Sequence, residues 1–451
     1  MSRTRLLFAP GDLRGADSVD DAALVGAIGE VESAWVTAQA AAGLVSAETR
    51  TAVTGAVDAV TWDLQADAEA LAGLAADAES GGNPVIPFLT RVRARLTPEA
   101  GRALHRGLTS QDVMDSALGL LVTRTIAETR ARLDVITEAL RSLSEAHADT
   151  LCLARTLTQP ALPTTFGLRV ATWAAEVAEV AALTPRSDAV QVGGAAGTRA
   201  AIREFAGDRT EALLREFEVQ LRGPDAALSP TPVPWHTDRV RVLTWATHFT
   251  QCVGVGSSIA RNVLIGTRPE VGELALAATG GSSAMPQKTN PTVAVLLHRN
   301  GMRAPGLLAT VATTGAAAVE ERSDGAWHAE WPALSALMVL ALSSLALLEE
   351  MATGLSARPE AMRRNLDAAG PGIYGEKLTI VFGDRLSKDA ITEILSGSGD
   401  PAERLGAALS ATPGPVPDPA ELEGFFAPSS YLGEAEGIRE TIIRTTDPTT
   451  P

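Results

Sequence analysis

The apolar residues from Met114 to about Asp149 recur at helical spacing over a stretch far longer than the 11–12 residues, roughly, of a mean α-helix. Similar long segments follow at about 165–185, 235–265, 291–318 and 332–352. An amphipathic helix of this length cannot bury its apolar stripe alone, so several in one chain imply a bundle. Composition agrees: the chain is 45% hydrophobic but only 4% aromatic, and Ala and Leu fill segment after segment. That balance favours helices packed on helices over sheets rich in β-branched and aromatic residues. The expected class is all-α.

Breaks in the pattern divide the chain. Ser18 followed by Asp21 reads as an N-terminal cap, after which Leu24, Ile28, Val31 and Trp35 recur at helical spacing until Gly43. Residues 51–80 continue as helix up to Gly81-Gly-Asn-Pro84, where Gly and Pro enforce a break. Pro and Gly then fall mainly at the joins of the long segments, at Gln159-Pro-Ala-Leu-Pro163, Gly193-Gly-Ala-Ala-Gly197 and Gly280–Pro291. In a bundle, chemistry is expected on such connections. After about residue 355 shorter helical patterns resume, interrupted by Thr412–Pro419. The expected organisation is an N-terminal helical domain (1–106), a central long-helix domain (107–353) and a small C-terminal helical domain (354–451).

Asp and Glu outnumber Lys and Arg by 54 to 38, a formal charge of -16, which makes the nucleic-acid backbone a poor partner. Lys occurs only at Lys288, Lys377 and Lys388, so a Lys inside the 280–291 connection stands out from an Arg-dominated background. Cys152 and Cys252 sit in apolar helical contexts and make neither a disulfide framework nor a metal site. The N-terminus has a basic start but no sustained apolar region, unlike a signal peptide. The most apolar stretch, Ala333–Leu348, is shorter than the roughly 20 residues of a membrane span. A buried helix in a cytoplasmic protein is expected, with no membrane partner.

The Gly280–Pro291 connection begins with two Gly and closes on Asn-Pro, so it can bend sharply and feed a helix starting near Thr292. Its polar residues Ser282, Ser283, Gln287, Lys288 and Asn290 can hold a carboxylate by hydrogen bonds and one point charge, although the same composition describes a plain surface turn. Thr109-Ser-Gln-Asp112 precedes the first long segment, where a helix N-terminus offers unpaired N–H groups to an anion; simple N-capping accounts for the same residues. Thr156-Leu-Thr-Gln159 and Trp235-His-Thr-Asp-Arg239 place polar side chains near helix boundaries, and Gly325–Trp331 puts two Trp around His328 and Glu330. A lone His beside Trp is more often structural than catalytic. There is no phosphate loop, dinucleotide fingerprint, metal-ligand spacing or nucleophile elbow, so no cofactor and no metal is expected.

Gly280-Gly-Ser-Ser-Ala-Met-Pro-Gln-Lys-Thr-Asn-Pro291 resembles the signature of the fumarase/aspartase superfamily, and His105–Asp112, Arg155–Gly167, Gly193–Thr198, Pro234–Arg239, Gly325–Trp331 and Tyr431–Gly433 look most like its cycloisomerase branch. The resemblance implies the three-domain fold of that superfamily, built around a central bundle of long helices, and a homotetramer whose active sites are shared between subunits. It implies a small polycarboxylate substrate and, for this branch, interconversion of 3-carboxy-cis,cis-muconate and carboxymuconolactone. By the same resemblance Ser282 exchanges a proton with the carbon beside a substrate carboxylate, and Lys288 and Asn290 stabilise the aci-carboxylate that forms. Thr109, Ser110 and Thr156 would fix carboxylates. Gln111, Gln159, His236, Arg239, Ser283 and Met285 complete the implied binding set.

Two residues depart from the family pattern. Many members have His after the Thr156 position, a candidate acid for the leaving group, where this chain has Leu157. A carboxylate leaving group needs no such acid, because its conjugate acid has a pKa of roughly 4. Lactone chemistry is compatible with Leu157. So is a lyase that expels another weakly basic anion, such as nitrite from nitrosuccinate; an amine is less favoured. Thr289 replaces an Arg usual in cycloisomerases, removing one positive charge near the substrate.

Overall fold

A computed structural model of the protein describes residues 6–186, 190–223, 233–277 and 279–446. Residues 1–5, part of the N-terminal stretch that reads as unlike a signal peptide, lie outside them. Helix accounts for 69% of the described residues, and the only strands among them form two short two-stranded antiparallel sheets. By spatial contacts the chain groups into two compact units. Unit 1 is Met1–Arg132, Leu183–Ser257 and Leu296–Leu347; unit 2 is Leu133–Ala182, Ser258–Val295 and Leu348–Pro451.

Four long helices dominate: Ser110–Ala146, Val240–Gly266, Thr292–Ala316 and Gly325–Gly354. Within unit 1 their facing sides are apolar, with Met114, Leu118, Leu297, Leu334, Leu337 and Leu345 all buried. Buried polar groups between them are paired: Asn300 donates to the Ser344 hydroxyl at 3.0 Å, and the Thr125 hydroxyl lies 3.6 Å from the Met338 sulfur. Gly301 allows its helix to approach the Val240 helix closely, since a Cβ there would stand 2.2 Å from the Ser257 hydroxyl oxygen. The Gly325–Gly354 helix has 30 residues, longer than its apolar core suggested and long enough on composition to cross a membrane; 67% of its apolar window is packed inside the protein, as in a core helix.

The N-terminal helix Asp21–Ala41 is capped by Asp20, whose carboxylate accepts the Ala23 N–H at 2.9 Å. Ser18 lies too early in the chain for the role expected of it, because a cap must immediately precede the first helical residue. Ile28, Val31 and Trp35 form the predicted buried stripe, and Trp35 meets Phe217 edge-on at 5.1 Å. The pattern over 51–80 resolves into two helices, Ala47–Ala66 and Ala68–Gly81. Asp67, extended at the break, caps the second by accepting the Glu69 N–H at 2.8 Å.

In unit 2, strands Leu151–Thr156 and Gln159–Thr165 pair as a hairpin that leads directly into the helix Phe166–Ala182. Pro160 and Pro163 forbid a helix there, and a register irregularity between Leu153 and Arg155 accommodates them. Leu153 packs with Leu366, Ile373 and Tyr374 from the C-terminal helices. A second cluster around Leu378, Leu405 and Leu409 forms the core of the short helices that follow.

Candidate active site

The 280–291 connection is a loop closed at its neck. Gly280 and Asn290 exchange backbone hydrogen bonds, both 2.8 Å, and only Gly fits at 280, since a Cβ would lie 2.1 Å from the Thr292 hydroxyl. The Asn290 amide donates to the Gly281 carbonyl at 2.9 Å, which fixes the side chain across the loop. Inside the loop the Ser282 Oγ accepts the backbone N–H groups of Met285 (3.1 Å) and Ala284 (3.4 Å). Two donors aimed at one oxygen favour negative charge on it. Ser283, Met285 and Lys288 are exposed, and the Lys288 ammonium has no ion-pair partner among the described residues.

Also in unit 2, Thr156 and Gln159 face each other across the end of the hairpin. Between them Leu157 and Thr158 both have positive φ, 48° and 71°. A two-residue turn of this hand normally takes Asn-Gly, and each bulky residue in it costs roughly 1–3 kcal/mol of backbone strain. Leu157 is 96% exposed, so burial of its side chain does not offset that strain within the chain. Arg155, one residue before the pair, is clamped on Glu273 at 2.7 and 3.3 Å. Burial raises the Glu273 carboxyl, but hydrogen bonds from Arg155 and Asn365 and the nearby Arg charges hold it below its ordinary value.

In unit 1 the N-terminus of the Ser110–Ala146 helix is organised by Asp112. Its buried carboxylate accepts the N–H groups of Thr109 (3.0 Å), Gly193 (2.7 Å) and Gly194 (2.9 Å), and His236 Nε2 lies 2.9 Å away. One turn deeper, Gln111 donates to Asp115 and to the His236 carbonyl. Arg239 binds both Asp115 and Glu330, and Trp327 donates to Asp115 at 3.1 Å. Three of the predicted binding residues, Gln111, His236 and Arg239, are therefore buried with internal partners. Thr109 and Ser110 remain partly exposed. Arg322, which sequence reasoning missed, donates to the Thr109 hydroxyl at 2.8 Å and to the Ala195 carbonyl at 3.0 Å. It lies on an irregular segment before the Gly325 helix, and nothing in its sequence context marks it. The predicted residues thus fall into two groups: 109–111, 236 and 239 in unit 1, and 156, 159 and the loop residues in unit 2.

A helical scaffold carrying a loop with a doubly supported serine oxygen and a lysine is equipped for proton transfer beside a carboxylate. Residues 15–306 match the family described as lyase. The chain is 35% identical to nitrosuccinate lyase of Streptomyces davaonensis, over 96% of this chain and 93% of that protein. It is 33% identical to 3-carboxy-cis,cis-muconate cycloisomerase of Bradyrhizobium diazoefficiens, over 92% of each. The crystal structure of 3-carboxy-cis,cis-muconate lactonizing enzyme from Pseudomonas putida matches with a TM-score of 0.85 and 28% identity, covering 98% of this chain and 99% of that one. The chain belongs to this lyase family, within the fumarase/aspartase superfamily. It is an enzyme of the superfamily with lyase or cycloisomerase activity, and the superfamily acts on small carboxylates and is typically oligomeric.

Proposed function

We propose that the enzyme interconverts 3-carboxy-cis,cis-muconate and carboxymuconolactone. The observation that carries this reading is the Ser282 oxygen beneath the N–H groups of Met285 and Ala284, a place where an alkoxide is stabilised. In lactonisation an internal carboxylate oxygen adds to the diene, and the displaced electron pair moves into the neighbouring carboxylate as an aci-carboxylate. Ser282 then gives its proton to the carbon beside that group and remains as the supported alkoxide. In reverse, the alkoxide removes the proton and the lactone C–O bond breaks. Lys288 and Asn290 offset the second negative charge of the intermediate. Thr109, Ser110 and Arg322 hold a substrate carboxylate, while Asp112, Gln111, His236 and Arg239 position that helix end. Met285, Ser283, Thr156 and Gln159 complete the binding surface in an assembled cytoplasmic homotetramer.

A second reading is a lyase that releases fumarate and nitrite from nitrosuccinate. Leu157 favours it equally, because nitrite is also a weakly basic leaving group, and a nitrosuccinate lyase is among the similar proteins. Purified enzyme is expected to remove the ultraviolet absorbance of carboxymuconate without added metal or nucleotide. Unchanged absorbance at high enzyme concentration would sink that substrate, and fumarate and nitrite appearing together from nitrosuccinate would establish the second reading.

A further inference from the structure

Unit 2 contains a cavity of 660 Å³ that none of the 280–291 loop residues lines. Its volume lies within the roughly 300–1,000 Å³ of small-molecule sites. Three guanidinium groups, Arg155, Arg169 and Arg268, face it against a single carboxylate, Glu273. Glu273 is only 2% exposed and is engaged by Arg155 at 2.7 Å and by the Asn365 amide at 2.8 Å. One carboxylate neutralises one guanidinium, which leaves an excess of two positive charges on the cavity wall. Arg169 lies 3.6 Å from Glu273 and is fixed by donating to the Leu153 carbonyl at 2.9 Å, and Arg268 has no ion-pair partner among the described residues.

The rest of the wall is mostly apolar, with Thr158, Thr164 and Asn262 as its uncharged polar side chains. Trp173, 4% exposed, stands with Ile265 and Leu274 beside the arginines. An inorganic anion would leave that wall unused, whereas a short carbon chain between two carboxylates uses both the wall and the charge. Arginine's planar fork suits carboxylate geometry, and two excess charges suit a dianion.

We propose that this cavity binds a small aliphatic dicarboxylate, held by Arg169 and Arg268 against Trp173, at a site separate from the Ser282 loop. Thr158, whose backbone is left-handed, also lines the cavity, so the occupant contacts the turn that joins Thr156 to Gln159. The proposal concerns binding and does not depend on which reaction the enzyme catalyses.

Trp173 is the one tryptophan in unit 2; the other six, at 35, 62, 235, 245, 327 and 331, are in unit 1. The full-length protein is titrated with succinate at constant ionic strength, following tryptophan emission and, in parallel, heat by calorimetry. Saturable binding is expected by calorimetry, with an emission change that disappears in Trp173→Phe. Arg268→Glu and the milder Arg268→Gln, each verified as folded by circular dichroism, are expected to raise the midpoint about tenfold or more. Ser282→Ala is expected to retain the response. No saturable heat, an emission change that persists in Trp173→Phe, or an unchanged midpoint in both Arg268 variants would overturn the site. Loss of the response in Ser282→Ala would place binding at the loop instead. Sulfate binding as tightly as succinate would overturn the assignment to a dicarboxylate.

Discussion

The Arg239 guanidinium holds Asp115 with both terminal nitrogens, at 2.9 and 3.1 Å, where the two side chains are 5% and 0% exposed. Its remaining donors reach Glu330, so a buried cluster carries two carboxylates and one cation. Burial opposes the Arg239 charge, but Asp115 and Glu330 outweigh it and raise the guanidinium above its ordinary value. Burial, reinforced by Asp115, raises the Glu330 carboxyl despite Arg239. Removing the cation leaves two buried carboxylates without their shared counter-charge. Arg239→Met is expected to destabilise the fold by about 3–5 kcal/mol, read as a lower denaturant midpoint. Loss of turnover at unchanged stability would instead place Arg239 in contact with substrate.

Ser282→Ala tests the loop. Among the described residues the Ser282 side chain accepts hydrogen bonds only within the loop, and the neck at Gly280 and Asn290 is backbone-bonded, so the variant is expected to keep its fold and assembly. Turnover is expected to fall by about two to four orders of magnitude, the usual contribution of one general acid–base group. A variant within a few-fold of wild type would show that another group moves the proton.

Most of the fold was legible because it depends on period. The stripe Ile28, Val31 and Trp35 and the four long helices are patterns that 3.6-residue spacing writes directly into sequence. The break at Asp67 was hidden because neither Gly nor Pro marks it; an Asp cap interrupts a helix without disturbing its composition. The hairpin at Leu151–Thr165 was hidden because its turn uses Leu157 and Thr158 where turn chemistry calls for Asn and Gly. In the site, Ser282, Lys288 and Asn290 were readable from one contiguous motif. The Arg322 contact with Thr109 joins residues 213 positions apart, and the pairing of Arg239 with Glu330 joins residues 91 apart, separations that no local pattern encodes.

His248 gives the fold an acid limit. It is buried, its Nε2 lies 3.7 Å from the Cys252 sulfur, and burial depresses its pKa to about 4. The folded state keeps this imidazole neutral, while the unfolded chain takes up a proton near the ordinary histidine value of 6.5. Stability from this group is therefore complete above about pH 6.5 and is lost as pH falls toward 4, by roughly 3 kcal/mol in total. His248→Leu is expected to flatten that part of a stability-versus-pH curve, and an unchanged slope would assign the acid limb to other groups. Cys252, pushed up to about 12 by burial, is expected to stay unreactive toward thiol reagents at pH 8 in the folded protein.

Leu157→His restores the imidazole that many superfamily members carry after the Thr156 position, at a site exposed enough to accept it without repacking. A general acid accelerates departure only when the leaving group needs a proton, and then by about two to four orders of magnitude. Carboxylate and nitrite leave as stable anions, so the new imidazole has nothing to protonate. On carboxymuconolactone or nitrosuccinate, whichever the enzyme accepts, the variant is expected to show kcat no higher than wild type, with no new limb near the His pKa in its pH profile. A tenfold rise in kcat with such a limb would show that leaving-group protonation limits the reaction, and would overturn the inference from Leu157 to a weakly basic leaving group.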